Sequence, residues 1–145
     1  MAGAKYAVAN IGYDVLKDFT PVSTISKSQY VMLVHPSVPA TSVKEFIALG
    51  RSRPGRLTFA TTGAGQFPYW CAAQFNLSSG IKAVEVPYKG VPAIVVDVVG
   101  GQIDYFFGNT SVFMTGKAKL RALAVTGATR SAVLPDLPTI AETLP

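Results

Sequence analysis

The segment Thr61-Thr62-Gly63-Ala64-Gly65-Gln66 holds the residue types in this chain best suited to grip a ligand. Gly63 and Gly65 let the backbone turn tightly and bring amides close to a bound group. A helix starting near Phe67 adds free amides and the positive end of a helix dipole, which together suit a carboxylate. Thr61 and Thr62 contribute hydroxyls, Gln66 a side-chain amide and Tyr69 a phenol. Two further turns follow strand-like runs: Pro87-Tyr88-Lys89-Gly90 and Gly108-Asn109-Thr110-Ser111. Lys89 either draws an anion or is a solvated turn charge. A lone Gly-x-Gly is a weak signal, and no Lys follows it as in a phosphate loop. A glycine-containing turn that binds nothing therefore stays open at this point.

Catalytic chemistry has little to stand on. The one histidine, His35, precedes Pro36 at the end of a strand-like run with no nucleophile implied nearby. Asp97 and Asp104 lie away from the three turns, and their spacing makes no acid/base pair. Ser111 lacks the strand-turn-helix setting of a nucleophile. The one cysteine, Cys71, sits in an apolar stretch and reads as a buried structural thiol. No Cys/His cluster points to a metal. The expectation is a protein that is not an enzyme and carries no metal or cofactor. The net charge of +5 comes from scattered residues, with Arg51, Arg53 and Arg56 as the only tight group. No nucleic-acid motif accompanies it, so nucleic acid is not an expected partner.

The elements that must position these turns follow from periodicity and punctuation. At 145 residues, 49% hydrophobic and 14% charged, the chain has the length and composition of one globular domain. Its apolar runs are each too short to cross a membrane as a helix, and such runs fit strands buried on both faces. Strands are expected at Val22–Ile25, Tyr30–Val34, Leu57–Thr61, Ala83–Val86, Ile103–Phe107 and Leu120–Thr126. Ser42 followed by Glu45 reads as a capping box for a helix from Val43 to Leu49, stopped by Gly50. Helices are expected over 67–77 and 112–119, with a short one near Thr139–Thr143. Val91–Val99 is valine-rich, but Pro92 in the first turn and Gly100-Gly101 at the end favour a helix. Alternating strands and helices predict an α/β fold, a mainly parallel sheet with flanking helices. Right-handed crossovers then bring the βα turns to one edge, where open α/β sheets bind ligands.

Four strings carry a family resemblance: Tyr13-Asp14-Val15-Leu16-Lys17-Asp18-Phe19-Thr20-Pro21-Val22, Val86-Pro87-Tyr88-Lys89-Gly90, Leu120-Arg121-Ala122-Leu123-Ala124-Val125-Thr126, and Leu134-Pro135-Asp136-Leu137-Pro138-Thr139-Ile140-Ala141-Glu142. In this order and spacing the chain resembles the Bug/TctC-type solute receptors of tripartite tricarboxylate transporters. The resemblance implies one lobe, plus part of the hinge, of a type II periplasmic binding protein. It covers the middle of a family member, without the opening half of the first lobe or the closing segment. In similar receptors, hydroxyls and amides at the position of Thr62, Gly63 and Gly65 hold a ligand carboxylate. Here Gln66 stands where a hydroxyl residue is usual. Tyr69 stands where His is frequent, and Trp70 replaces a smaller aliphatic residue. Gly108 replaces an Asp beside the retained Asn109.

The resemblance implies capture of a small carboxylate for a transporter, without catalysis, by hinge closure against a second lobe. The expected ligand contacts are Thr61, Thr62, Gly63, Ala64, Gly65, Gln66, Tyr69, Tyr88, Lys89 and Asn109. Residues 1–20 read as a lead-in and partial hinge, 21–130 as the ligand-binding lobe and 131–145 as a proline-rich end segment. Partners implied are the transporter's membrane subunits. A single lobe exposes its cleft, which predicts weak affinity, about millimolar, and pairing of two copies as a homodimer. The alternative is a receptor lobe serving as a protein-interaction module. Localisation by resemblance is periplasmic. Met1–Asn10 has no secretory pattern, which leaves the cytoplasm open for the chain as given.

Overall fold

The computed structural model describes residues 12–14, 17–24 and 28–144. Five strands form one sheet: β1 (Tyr30–Val34), β2 (Thr58–Thr61), β3 (Val84–Pro87), β4 (Tyr105–Asn109) and β5 (Arg121–Val125), in the order β3-β2-β4-β1-β5. The helices are α1 (Val43–Ser52), α2 (Phe67–Ser79), α3 (Val91–Val99) and α4 (Thr110–Gly116), with a 3-10 turn at Ile140–Glu142. The strands alternate their side chains between two cores. Met32, Phe59, Tyr105 and Phe107 face α1 and α2, whereas Val31, Leu33, Ala60 and Phe106 face α3 and α4. The result is the expected α/β sheet between two helical layers.

The sheet is mixed rather than parallel throughout. β2 pairs parallel with β3 and β4, but β1 is antiparallel to both β4 and β5. The cause lies in α1. Arg121 donates to the carbonyls of Val38 and Ala40 just before α1, fixing that end beside β5. At the other end Arg51 donates to the Ser79 carbonyl and Gly55 to that of Lys82, beside the start of β3. Ten residues of helix span about 15 Å, and the residues flanking it make up the rest of the four interstrand spacings of about 4.8 Å between β5 and β3. The helix thus runs across the strands along one edge instead of returning the chain to the other. β1 ends, and β2 begins, at that same edge.

Local chemistry explains the boundaries. Ser42 caps α1 by accepting from the Glu45 amide, as expected, but the Glu45 carboxylate reaches one residue further back, to the Thr41 amide (2.7 Å) and hydroxyl (2.8 Å). Those bonds hold the Glu45 carboxyl below its ordinary range. Gly50 does not stop α1. It is buried inside the helix, where a Cβ would meet Ile81 at 2.8 Å. α2 runs two residues past the expected end, to a left-handed Gly80 cap. α3 spans Val91–Val99 as expected, with Ile94 and Val98 buried. β4 lies two residues later than predicted, so Gly108 and Asn109 are strand, and α4 starts at Thr110. In β5 a bulge puts Leu123 and Ala124 on the same face. Val22–Thr24 form no strand and are exposed; Ile25 and residues 1–11 lie outside the described residues.

Candidate functional site

The carboxyl ends of β2, β3 and β4 share an edge with the start of β1, so four segments meet there. The Thr62–Gln66 loop leaves β2 and enters α2. Gly63 (φ 99°) and Gly65 (φ 92°) adopt the left-handed region that side chains disfavour. A Cβ at Gly63 would meet nothing within 4 Å, so there the requirement is backbone conformation, not space. Thr61 itself is fully buried. Its hydroxyl donates to Glu85 Oε1 (2.6 Å) and accepts from the Gly63 amide (3.2 Å). It thus holds the loop rather than facing a ligand. The Gln66 amide donates to the Gly63 carbonyl at 3.3 Å.

The remaining loop donors are free. Among the described residues the amides of Ala64, Gly65, Phe67 and Tyr69 have no protein acceptor, and Pro68 has no N–H to satisfy. Gln66 caps α2 without a side-chain bond, leaving its amide group available. Ala64, Gly65 and Gln66 are exposed, while Thr62, Gly63 and Tyr69 are half-buried. Four unpaired amides at the head of a 13-residue helix present a positive, donor-only surface to an anion.

The other predicted contacts divide. The Tyr88 amide donates to the Thr61 carbonyl (2.8 Å), joining the second turn to the first. Its phenol, however, donates to Asp97 Oδ2 at 2.6 Å. Burial and that carboxylate push the phenol up to about 12. Asp97 is therefore not remote from the turns, as its sequence position implied: one and a half turns into α3, it ties that helix to Tyr88. Lys89 is exposed beside the start of α3, with no ion pair among the described residues. Asn109 caps α4 by accepting from the Val112 amide (2.9 Å), and its side-chain N–H₂ has no acceptor among the described residues. Gly108 lies in the buried strand, where a Cβ would meet Phe106 at 2.9 Å and Leu33 at 3.0 Å. The Phe106 ring thus fills the room that a larger residue would need.

Two residues of the edge escaped the sequence reading. Tyr30 stacks on Phe67 with ring centroids 5.0 Å apart, and Tyr30 is also the register partner of Asn109. Only the reversed direction of β1 brings it there, and no local signal announced that. Glu85 supports Thr61 from the neighbouring strand; its alternation in β3 was the available clue. Among the described residues no Asp, Glu, His or Cys cluster could hold a metal ion. No helix there is long and apolar enough to cross a membrane.

A sheet whose carboxyl edge carries an amide-lined loop, with helices on both faces, defines one lobe of a two-lobed solute-binding protein. The chain belongs to the tripartite tricarboxylate transporter family of receptors, whose pattern it matches over residues 1–144. The family consists of receptors that bind solutes and are not enzymes, and its members are periplasmic binding proteins. Protein BugT of Bordetella pertussis is 33% identical over 135 residues, covering 92% of this chain and 41% of BugT. The Rhodopseudomonas palustris protein Rpa4515, solved with adipate, is 33% identical with a TM-score of 0.81, over 94% of this chain and 46% of that one. MatC from the same organism, solved with bound malate, is 25% identical with a TM-score of 0.84, over 97% of this chain and 49% of that one. The chain therefore spans less than half the length of these relatives.

Proposed function

We propose that this lobe captures a small carboxylate for a tripartite tricarboxylate-type transporter in the periplasm, binding it without chemical change. The observation that carries the reading is the set of unpaired amides from Ala64 to Tyr69 at the carboxyl edge of the sheet. Adipate in Rpa4515 and malate in MatC support a carboxylate ligand for this chain as well. Thr62, Ala64, Gly65 and Gln66 grip one carboxylate around the turn that Gly63 makes, with Tyr69, Lys89 and the Asn109 amide at the margins. Thr61 and Tyr88 hold the loop and its neighbouring turn in place. A second lobe closes over this edge about a hinge, and the closed form engages the transporter's membrane subunits.

A thermal-shift screen against mono-, di- and tricarboxylates tests this. A ligand at ten times its Kd stabilises the fold by about 1.4 kcal/mol, which raises Tm by about 4 °C in a chain of this size. The Gly65→Asp variant sets a carboxylate among the amides and removes the shift, and Thr62→Val reduces it. A cooperatively melting chain that shifts with no acid overturns the reading. A second reading, a protein-interaction module without transport, draws on the exposed Val96 and Met114. It is favoured if the chain binds no acid but forms a stable protein complex.

A further inference from the structure

A groove of about 510 Å³ begins at Phe67, the residue after the amide loop, and follows α2 away from the edge. One wall is a helical stripe of α2: Phe67, Trp70, Cys71, Gln74, Phe75 and Ser78. These positions recur at intervals of three and four, so a single helix face lines the groove. The other wall is formed by Thr126, just after β5, with Ile140 of the 3-10 turn and Leu144 beyond it. The volume lies in the range of small-molecule pockets.

The chemistry of the walls restricts the occupant. Among the described residues no Asp, Glu, Lys, Arg or His lines the groove. Its polar groups largely satisfy one another: Gln74 Nε2 donates to Ser78 Oγ (3.0 Å), and Thr126 Oγ1 accepts from the Tyr30 amide (3.0 Å). A second carboxylate would find no cation among the described lining residues and would lose its hydration. Burial pushes the Cys71 thiol up to about 11, so that side chain stays neutral as well. Aromatic faces dominate the end nearest the loop, where Phe67 stacks on Tyr30 and Trp70 meets Tyr69 edge-on.

We propose that the groove receives the uncharged aromatic body of a monocarboxylate whose acid group sits on the Ala64–Tyr69 amides. This rests on the carboxylate-capture reading above and narrows its substrate class to aromatic monocarboxylates. Trp70 is the only tryptophan of the chain and lines the groove, so its fluorescence reports occupancy directly.

The test titrates the chain with 3-phenylpropionate, acetate and succinate, read by Trp70 fluorescence and by calorimetry. The aryl acid is expected to bind at least about tenfold more tightly than either aliphatic acid, the gain from burying one ring. Ala141→Phe, at an exposed position on the groove wall, should weaken 3-phenylpropionate by a similar factor and leave succinate unchanged. Gln74→Glu, which places a charge in the groove, gives the same contrast should the first variant melt early. Gly65→Asp should abolish all binding. Succinate binding as tightly as the aryl acid, with both lost in Gly65→Asp, overturns the aromatic class and leaves carboxylate capture standing. Aryl-acid binding unaffected by either groove variant also overturns the placement. Binding of none of the three acids overturns both readings.

Discussion

Thr61 illustrates how one side chain can serve a site without touching its ligand. Its hydroxyl lies between Glu85 and the Gly63 amide, so it orients the loop whose Ala64 and Gly65 amides have no acceptor among the described residues. Tyr88 acts similarly through Asp97. A residue-scale prediction concerns the ion pair at the far end of the chain. Arg130 donates from Nε and Nη2 to both oxygens of Glu142, at 3.0 and 2.7 Å, and the Thr139 amide donates to the same carboxylate. The Arg130 bonds foremost hold the Glu142 carboxyl down at about 2, against an ordinary 4.5. A depressed carboxyl pKa stabilises the fold above the unfolded value, and that contribution is lost as pH falls from about 4.5 to about 2. Arg130→Ala should therefore lower Tm at pH 7, and the difference should shrink steadily as pH falls from about 4.5 toward about 2. Thermal melts of both chains across that window check it, and equal Tm values at pH 7 would refute it. The exposed pair is screened, so the effect should also shrink in high salt.

At the scale of elements, α1 shows where local reading succeeds and where it stops. The Ser42 cap was legible because capping is a contact between neighbours in sequence. The role of Gly50 was not, because it depends on Ile81, which approaches from thirty-one positions away. Gly50→Ala should gain helix propensity of about 1 kcal/mol but incur overpacking of about 1–3 kcal/mol. The expected net effect is a loss of about 1 kcal/mol, measured by urea unfolding at constant m-value. Adding Ile81→Ala to Gly50→Ala should relieve the clash, so the double mutant loses less than the sum of the single mutants. α3 makes the complementary point. Its valines favour a strand, yet the helix forms because Pro92 and Gly100 punctuate it and Ile94 and Val98 bury one face. Here punctuation outweighed composition. Val22–Thr24 went the other way: β-branched at Val22 and Thr24, the segment is nonetheless exposed and outside the sheet.

For the whole molecule, the layer of α1 and α2 is joined to the sheet through Tyr105. Its ring packs against Phe46, Phe59, Phe75 and Phe107, and its hydroxyl donates to Asn76 Oδ1 at 2.6 Å. Tyr105→Phe keeps the ring packing but strands the Asn76 oxygen, at a cost of about 1–3 kcal/mol. A fall in Tm of roughly 3 °C or more is expected, and an unchanged Tm would show that the oxygen finds another donor.

The chain by itself determined the α/β class, the places of nearly all helices and strands, the family strings and the amide-rich loop between Thr61 and Phe67. All of these are written in contacts between near neighbours: period, caps, turn glycines and short motifs. Only the tertiary structure decided that β1 runs against its neighbours and that Tyr30 and Phe67 stack at the ligand-facing edge. It also decided that Thr61 and Tyr88 are occupied, that Gly108 is closed off by Phe106, and that one face of α2 borders a groove with no charged side chain among the described residues. Strand direction here depends on α1 lying across the sheet, a packing outcome shared by residues scattered from Val38 to Arg121. Which side chains face a cleft depends in turn on that direction, so no window of the sequence contains it.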